Sequence, residues 1–514
     1  MSALMKKWIL SISLLLLTII FVGIGVQFWV QQKINAYIAE DMPSSIYVKN
    51  HDVKFNLWKH QLTCRPLEVY YDADSTDNYT SKIAVENIDI NGLKYYQLWK
   101  NDKIILDNLI LSKPVITHHK SNNRSADSKT AGESKKAIDI YIDKFQLESA
   151  EVMILNNTQD SITLTINDFN LILRDIMVSD KTLNNHLPFQ YSDSYCSYDS
   201  LHLKVGNYEY LVSNFGQLKY GNFTINDFRY FTKHDRTSYN KLLSLERDHV
   251  DINIDNIKFT NFKLKNSKNR KLAFFADSVY LNSPVAKLYR DKSLEDNIRN
   301  RIFYGEKINR ALIDMNFDNV LVVNGFLQHE IHKDLSREPG KLKFKNIYST
   351  ISNFSNVNQK QTYISFQTKF MEEAKVKGNW SFSTIDPKGT FQFTGAIDNL
   401  PLKDLDQLMI PNQNSRMTGF VNSVDFNIMG NLHNSSCDLT IDYQDLKLIL
   451  LDEENNKRKI VSSLANIMIH DDGTIPDEKK DKISITIDRD PTTSFWKYIW
   501  QNIKTALAED IIKL

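Results

Sequence analysis

Apolar residues recur at every second position along most of this 514-residue chain, a period that belongs to β-strands with one dry face. Val53, Phe55 and Leu57 alternate with Asp52, Lys54 and Asn56, and Ile138, Ile140 and Ile142 alternate with Asp139, Tyr141 and Asp143. Val250, Ile252 and Ile254 do the same against Asp251, Asn253 and Asp255. Later runs carry Phe391 and Phe393; Val424, Phe426 and Ile428; Leu439 and Ile441; and Ile483, Ile485 and Ile487. Parallel sheets covered by helices would show continuous apolar runs, so antiparallel meanders are expected. The length fits roughly three or four ordinary domains or one elongated β structure.

One run changes parity: Ile162, Leu164 and Ile166 are followed by Phe169, Leu171 and Leu173. The extra residue near Asn167 and Asp168 predicts a bulge or tight turn, a device that curves a sheet. A second feature is self-similarity. The stretch NLILSKPVITHHK at 108–120 has a near copy, SVYLNSPVAKLYR, at 278–290, with Pro114 and Pro284 standing 170 residues apart. Such a copy points to a supersecondary unit used twice. Lys120–Lys136 is polar and aperiodic, so a disordered loop is expected over about 120–136. Ser336–Lys341, Asp452–Lys459 and His470–Lys482 read as hairpin tips. Leu294, Ile298 and Ile302 predict a short helix within Lys292–Arg310.

The two ends break the period of two. Trp8–Val30 carries no charge, and 23 residues of helix span about 34 Å, enough to cross a bilayer. Lys6 and Lys7 precede it, which keeps the N-terminus cytoplasmic and makes 1–45 an uncleaved signal anchor with a juxtamembrane segment. A cleaved secretory signal is the competing reading, but no Ala-x-Ala site follows. A mainly β domain then occupies 46–490. Residues 491–514 read as an amphipathic helix whose stripe holds Phe495, Trp496, Ile499, Trp500, Ile503, Ala506 and Leu507. Either the helix docks on the last sheet edge, or it touches a second membrane or a partner protein.

Lysine and arginine total 63 against 62 acidic residues, so no net field draws the chain to nucleic acid. Cys64, Cys196 and Cys437 are too few and too dispersed for a disulfide framework or a zinc site. His329 and His332 lack the spacing that sets two imidazoles on one helical face, and they read as a solvated pair. His118 and His119, adjacent on a strand, point to opposite faces. No phosphate loop, nucleophile elbow or paired carboxylates occur in the sequence, so no catalytic residue, cofactor or metal is expected.

The N-terminal apolar segment, VKNHDVKFNLWKHQLTCRPLEV at 48–69, the two Pro-Val strand endings and the late stretch GFVNSVDFNIMGNLHNSSCDLTIDYQDLKLILL at 419–451 together resemble AsmA-like proteins of Gram-negative envelopes. GTFQFTGAIDNLPLKDLDQLMIP at 389–411 is the most specific portion. The chain departs from the pattern with Cys437 and Asp438, where a small residue is expected. The resemblance implies a bacterial inner-membrane protein, anchored once, with its bulk in the periplasm as a long curved antiparallel sheet. It further implies an apolar groove that handles phospholipid or another acyl lipid in support of outer-membrane biogenesis. Phe391, Phe393, Val424, Phe426, Ile428, Leu439, Ile441, Ile483, Ile485 and Ile487 would then face lipid. Phe495, Trp496, Ile499, Trp500 and Ile503 would meet a membrane or an envelope protein. Closed β-sandwich segments satisfy the same alternation, and with them a membrane-anchored scaffold or assembly factor. On the favoured groove reading, aspartate at Phe426 or at Ile428 is expected to spare the fold and to lower the copurified lipid, whereas a closed core predicts unfolding.

Overall fold

The computed structural model describes residues 28, 32, 46–49, 52–56, 59–71, 79–101, 103–120, 139–156, 161–183, 185, 187–266, 272–452 and 482–512. The proposed anchor, apart from Phe28, and the polar loop after Lys120 lie outside them, as does nearly all of 452–482. Among the described residues no helix is long and apolar enough to cross a membrane. The described chain is mainly β and divides into two compact units, residues 1–205 with 213–220, and residues 206–212 with 221–514.

The first unit begins with four long strands, each broken near its middle. They are β1 (Ile46–Lys49) and β2 (Asp52–Asn56), β3 (Gln61–Arg65) and β4 (Leu67–Tyr71), β5 (Ser81–Val85) and β6 (Asn87–Asn91), then β7 (Lys103–Ser112) and β8 (Val115–Lys120). β2, β3, β6 and β7 pair antiparallel in that order, as do β1, β4, β5 and β8. Both ladders end on one uninterrupted strand, β9 (Asp139–Asn156), which pairs parallel with β7 and β8. β10 (Ser161–Val178) returns antiparallel to β9 and carries β11 (Asp193–Tyr198) and β12 (Ser200–Val205) on its other side. α1 (Tyr95–Asn101) and α2 (Asp180–Leu183) are short.

The second unit holds all but the last residue of β13 (Glu209–Ser213), whereas β14 (Phe215–Lys219) pairs with β11 in the first. β15 (Asn222–Thr232) follows and pairs with β13. α3 (Arg236–Lys241) starts at Asp235, whose carboxylate accepts from the Thr237 and Ser238 backbone N–H groups at 3.1 Å each. β16 (His249–Thr260) pairs with β15, with β18 (Leu272–Asn282) and with β19 (Val285–Asp291), while β17 (Lys263–Asn266) lies beside β18. α4 (Tyr304–Asn309) is all that forms of the helix expected in Lys292–Arg310, because 296–303 is irregular. β20 (Asp314–His332), β21 (Gly340–Ser355), β22 (Thr362–Phe370), β23 (Ala374–Phe382) and β24 (Phe391–Pro401) then run as a meander. After α5 (Asp406–Gln413), β25 (Ser415–Gly430), β26 (Asn434–Leu450) and β27 (Ile483–Asp488) continue it, and α6 (Phe495–Ile512) ends it.

The expected antiparallel pattern fails at two junctions, and they are the two proline-broken copies. β7 and β8 pair parallel with β9, and β18 and β19 pair parallel with β20. A parallel partner requires a connection long enough to return across the sheet, and each copy is followed by one, residues 121–138 and 292–313.

The copy extends to the bends. In the first unit φ is positive at Lys113 (47°), Ser149 (50°) and Asp168 (47°); in the second it is positive at Ser283 (47°), Asn324 (54°) and Asn346 (52°). A second line crosses the same strands. Pairing skips Asp107 opposite Asp143, and Asp277 opposite Asp318, while Asp175 and Asn353 have φ of 51° and 57°. Each line shifts side-chain parity by one, so the same face stays apolar on both sides. Leu106 hands over to Leu109, Ile142 to Phe145 and Leu173 to Ile176 within one cluster. Ala276 hands over to Val279, Phe317 to Val320 and Ile351 to Phe354 within another. Short polar side chains recur at these positions, Lys113 excepted, because Asp and Asn tolerate positive φ best; at Ser149 the backbone N–H is satisfied across the strand pair by Asn170 Oδ1 at 2.9 Å.

Candidate functional site

In the second unit the register lines up a row of apolar side chains across eleven strands. Phe223 pairs with Phe259, then follow Val279, Val320, Ile351, Ile364, Trp380, Phe393, Ile428, Cys437 and Ile485, each opposite the next. At a strand spacing of about 4.8 Å the row runs about 48 Å along the sheet. A parallel row on the same face contains Ile225, Ile257, Leu281, Val322, Ser349, Phe366, Gly378, Gly395, Phe426, Leu439 and Ile483. Its two glycines make room for rings: a Cβ on Gly378 would stand 2.4 Å from Phe366, and one on Gly395 2.2 Å from Phe426. Cys437 occupies the small position between Ile428 and Ile485, and burial pushes its thiol up to about 11, far from a reactive thiolate.

The two ends of this face differ in cover. α6 packs over β25, β26 and β27. Phe495 stacks on Trp380 with ring centroids 4.4 Å apart and meets Phe391 at 5.0 Å. Tyr498 and Asn502 are fully buried, with Asn502 Oδ1 accepting from Ser435 Oγ at 2.9 Å and its Nδ2 donating to the Tyr498 carbonyl at 2.9 Å. At the other end Ile225, Phe259, Leu281 and Phe317 remain half-buried around Ile257, Val279 and Val320.

All ten residues expected to face lipid lie on the helix-covered stretch. Phe391, Phe393, Val424, Phe426, Ile428, Leu439, Ile441, Ile483 and Ile485 are buried in one cluster with Phe495, Tyr498 and Ile499, and Ile487 packs against it. They form a protein core here, because the terminal helix supplies the apolar cover that lipid would otherwise give. The helix stripe also needs correction. Phe495, Ile499 and Ala506 dock as expected, but the helix is rotated so that Tyr498 and Asn502 enter the core, while Trp496 and Trp500 stay 49% and 59% exposed. Ile503 sits at the margin, partly buried.

Arg489 fixes the start of this helix. Its guanidinium donates to the carbonyls of Arg301 at 2.6 Å, Thr493 at 2.9 Å and Leu432 at 3.3 Å, and lies 4.4 Å above the Phe303 ring. Among the described residues no carboxylate pairs with it, and burial lowers its pKa.

A charged cluster borders the apolar face where β16, β19 and β20 run out. Val250, Leu288 and His329 are in register, and Arg290 stands opposite Ile331 on the same face. Arg290 forks onto Asp248 with contacts of 2.7 and 2.6 Å, His329 Nε2 lies 3.6 Å from the same carboxylate, and Lys292 bonds Asp296 at 3.0 Å and Glu246 more closely. Burial would raise the Asp248 carboxyl, but the facing His329 and Arg290 outweigh it and hold the pKa at about 2. The expected solvated histidine pair is thus engaged: Tyr289 Oη lies 2.8 Å from His332 Nδ1 and the Arg337 carbonyl 2.8 Å from its Nε2. The sequence offers no signal for this cluster, since its members are dispersed over more than eighty residues. Among the described residues no group of three or more His, Cys, Asp or Glu could hold a metal ion. Among the described residues no disulfide links the three cysteines; Cys64 and Cys437 are buried and Cys196 half-buried.

Comparison with protein-family models and with curated proteins returns no match for this chain.

Proposed function

We propose that this chain is a membrane-anchored, non-enzymatic envelope protein that handles acyl lipid along the apolar face of its β-sheet. On this reading Trp8–Val30 anchors it in a bacterial inner membrane, the β units stand in the periplasm, and the lipid handled supports the outer membrane, as the AsmA-like resemblance implies. The observation that carries the reading is the unbroken row from Phe223 to Ile485. A domain needs apolar positions only where its own layers meet, whereas this row continues past the strands that α6 covers. Each methylene that such a face shields from water is worth about 0.8 kcal/mol, so even a short acyl segment would bind there with useful affinity. The half-buried end, around Ile225, Phe259, Leu281 and Val322, is the part assigned to lipid.

The scaffold reading has one observation in its favour, the closure of the face by α6. It applies from β23 to β27, where the apolar residues have protein partners already.

Leu281→Asp and, separately, Ile225→Asp test the assignment. Each places a carboxylate on the half-buried end, where it stays hydrated. Both variants are expected to accumulate normally with an unchanged β-type circular dichroism spectrum and to copurify with several-fold less lipid, measured by native mass spectrometry. Unchanged lipid in folded Leu281→Asp and Ile225→Asp protein would reject the lipid reading and leave the scaffold.

A further inference from the structure

The terminal helix leaves two indoles outside the core it was folded to cover. Trp496 and Trp500 stand one turn apart on its flank, 49% and 59% exposed, although every other large ring of that stripe is packed. Trp496 is not a loose surface residue. Trp496 donates its indole N–H to Tyr304 Oη at 3.1 Å and packs edge-on to Trp380 at 5.6 Å and to Phe393 at 5.9 Å. The side chain is therefore fixed with half its surface in water.

Beside this flank runs the irregular segment that precedes α4. It is tied to the helix start by Arg301 N–H donating to the Pro491 carbonyl at 2.8 Å. The segment exposes Ile298, 78% accessible, and next to it Arg299. Lys307 lies 4.8 Å above the Tyr304 ring, the same ring that receives the Trp496 indole. Among the described residues Arg299, Arg301, Lys307 and Lys497 make no ion pair, whereas the neighbouring acids Asp296 and Glu306 are already held by Lys292 and Arg310. Burial and then the neighbouring Arg301 and Arg299 lower the pKa of Lys307, and burial followed by Arg299 and Arg290 lowers that of Arg301. Lys497 acts on Asp296 and Asp490, and Glu246 and Asp248 act on Arg301, so Lys307 is the cation on which other cations alone, Arg301 and Arg299, press.

We propose that the Trp496 and Trp500 flank, together with Arg299, Arg301, Lys307 and Lys497, is a docking surface for an anionic lipid bilayer. An indole fixed between an apolar core and water, as Trp496 is, with the exposed Trp500 one turn on, suits the headgroup level of a bilayer, where an amphipathic ring is favoured over either phase. Basic side chains at the same level are attracted by anionic headgroups within a Debye length of the surface. A soluble protein partner would also cover the rings, but it would not require basic side chains outside any ion pair, such as Arg299 and Lys307, beside them. The inference rests on the lipid reading above, since a lipid-handling face is useful where it meets a membrane. Docking and loading are nonetheless separate measurements.

The test holds the full chain on a surface through an N-terminal tag, in phosphatidylcholine nanodiscs, and passes vesicles over it. Vesicles with 30 mol% phosphatidylglycerol should be captured at least tenfold better than pure phosphatidylcholine vesicles, and the capture should fall steeply between low and 0.5 M salt. Trp500→Ala alone, Trp496→Ala with Trp500→Ala, and Arg299→Glu with Lys307→Glu should each lower that capture at least fivefold while leaving copurified lipid and circular dichroism unchanged. Trp500 is the more exposed ring, so its single variant stays informative if the double variant is destabilised. Equal capture of neutral and anionic vesicles, or undiminished capture by folded Trp500→Ala and Arg299→Glu/Lys307→Glu protein, overturns the proposal. Absence of copurified lipid from the wild-type chain, with its capture of anionic vesicles intact, counts against the lipid reading alone.

Discussion

Asp248 is the residue whose environment departs furthest from what its neighbours in sequence suggest. It follows an arginine and precedes a histidine at a strand start, yet its partners are Arg290 and His329, brought beside it by β19 and β20. Its pKa of about 2 lies below the ordinary aspartate value of 3.8, so the folded state favours the carboxylate. The resulting stability is present in full above pH 3.8 and is lost as pH falls from there through about 2. At roughly 1.4 kcal/mol per pKa unit the effect is about 2 kcal/mol. Asp248→Asn should therefore destabilise the protein by at least that amount at pH 7, and the gap to wild type should narrow between pH 4 and pH 2. Urea denaturation across that range checks it, and a gap that stays constant down to pH 2 would show that Asp248 matters only by its shape.

At the scale of elements, the bends are the part of the fold most legible in the sequence. The jump from Ile166 to Phe169 announced the break at Asp168, and the pairing does shift there. The two proline endings announced a unit used twice, and both copies bend at the same places, Asp107 and Lys113 in one, Asp277 and Ser283 in the other. Alternation fixes which residues share a face, but it is blind to strand direction, which is why the parallel junctions at β9 and β20 were not foreseen. Nor does it say what covers a face. The terminal stripe was readable as amphipathic, yet Phe495 and Ile499 are flanked on one side by Trp496 and on the other by Tyr498 and Asn502. Hydrophobicity favours the tryptophan flank, and the core chose the other because Ser435 satisfies Asn502. The parity argument makes a sharp prediction at Asp168, where φ is 47°. Asp168→Gly, which suits positive φ, should change stability by no more than about 1 kcal/mol. Deleting Asp168 should turn Phe169, Leu171 and Leu173 to the opposite face and abolish folding of the first unit. Limited proteolysis of the two variants side by side distinguishes them; a folded deletion variant would mean that the extra residue does not set the register.

For the molecule as a whole, the decisive question is whether the last third of the apolar face is open or closed, and the helix answers it at particular residues. Ile428 and Phe426 occupy the two rows, and Ile428 has no exposed surface. Aspartate at 428 would sit beneath Phe393 and the helix with no cation to meet it, at a cost of several kcal/mol against a usual total of 5 to 15. Ile428→Asp should therefore accumulate poorly and lose its cooperative thermal transition, the closed-core outcome, while Leu281→Asp on the same face keeps its own. Truncation before Phe495 gives the complementary experiment. Without α6, Trp380, Phe391 and Phe393 become one contiguous wet apolar patch continuous with the half-buried end, and Arg489 loses the Tyr498 ring 5.9 Å from its guanidinium. The truncated chain should aggregate or bind far more lipid and apolar dye than the full chain, and phospholipid or detergent should rescue its solubility. If instead it remains monomeric with no added lipid or dye bound, α6 is not the cover of the face, and the burial of Ile428 must come from the strands alone.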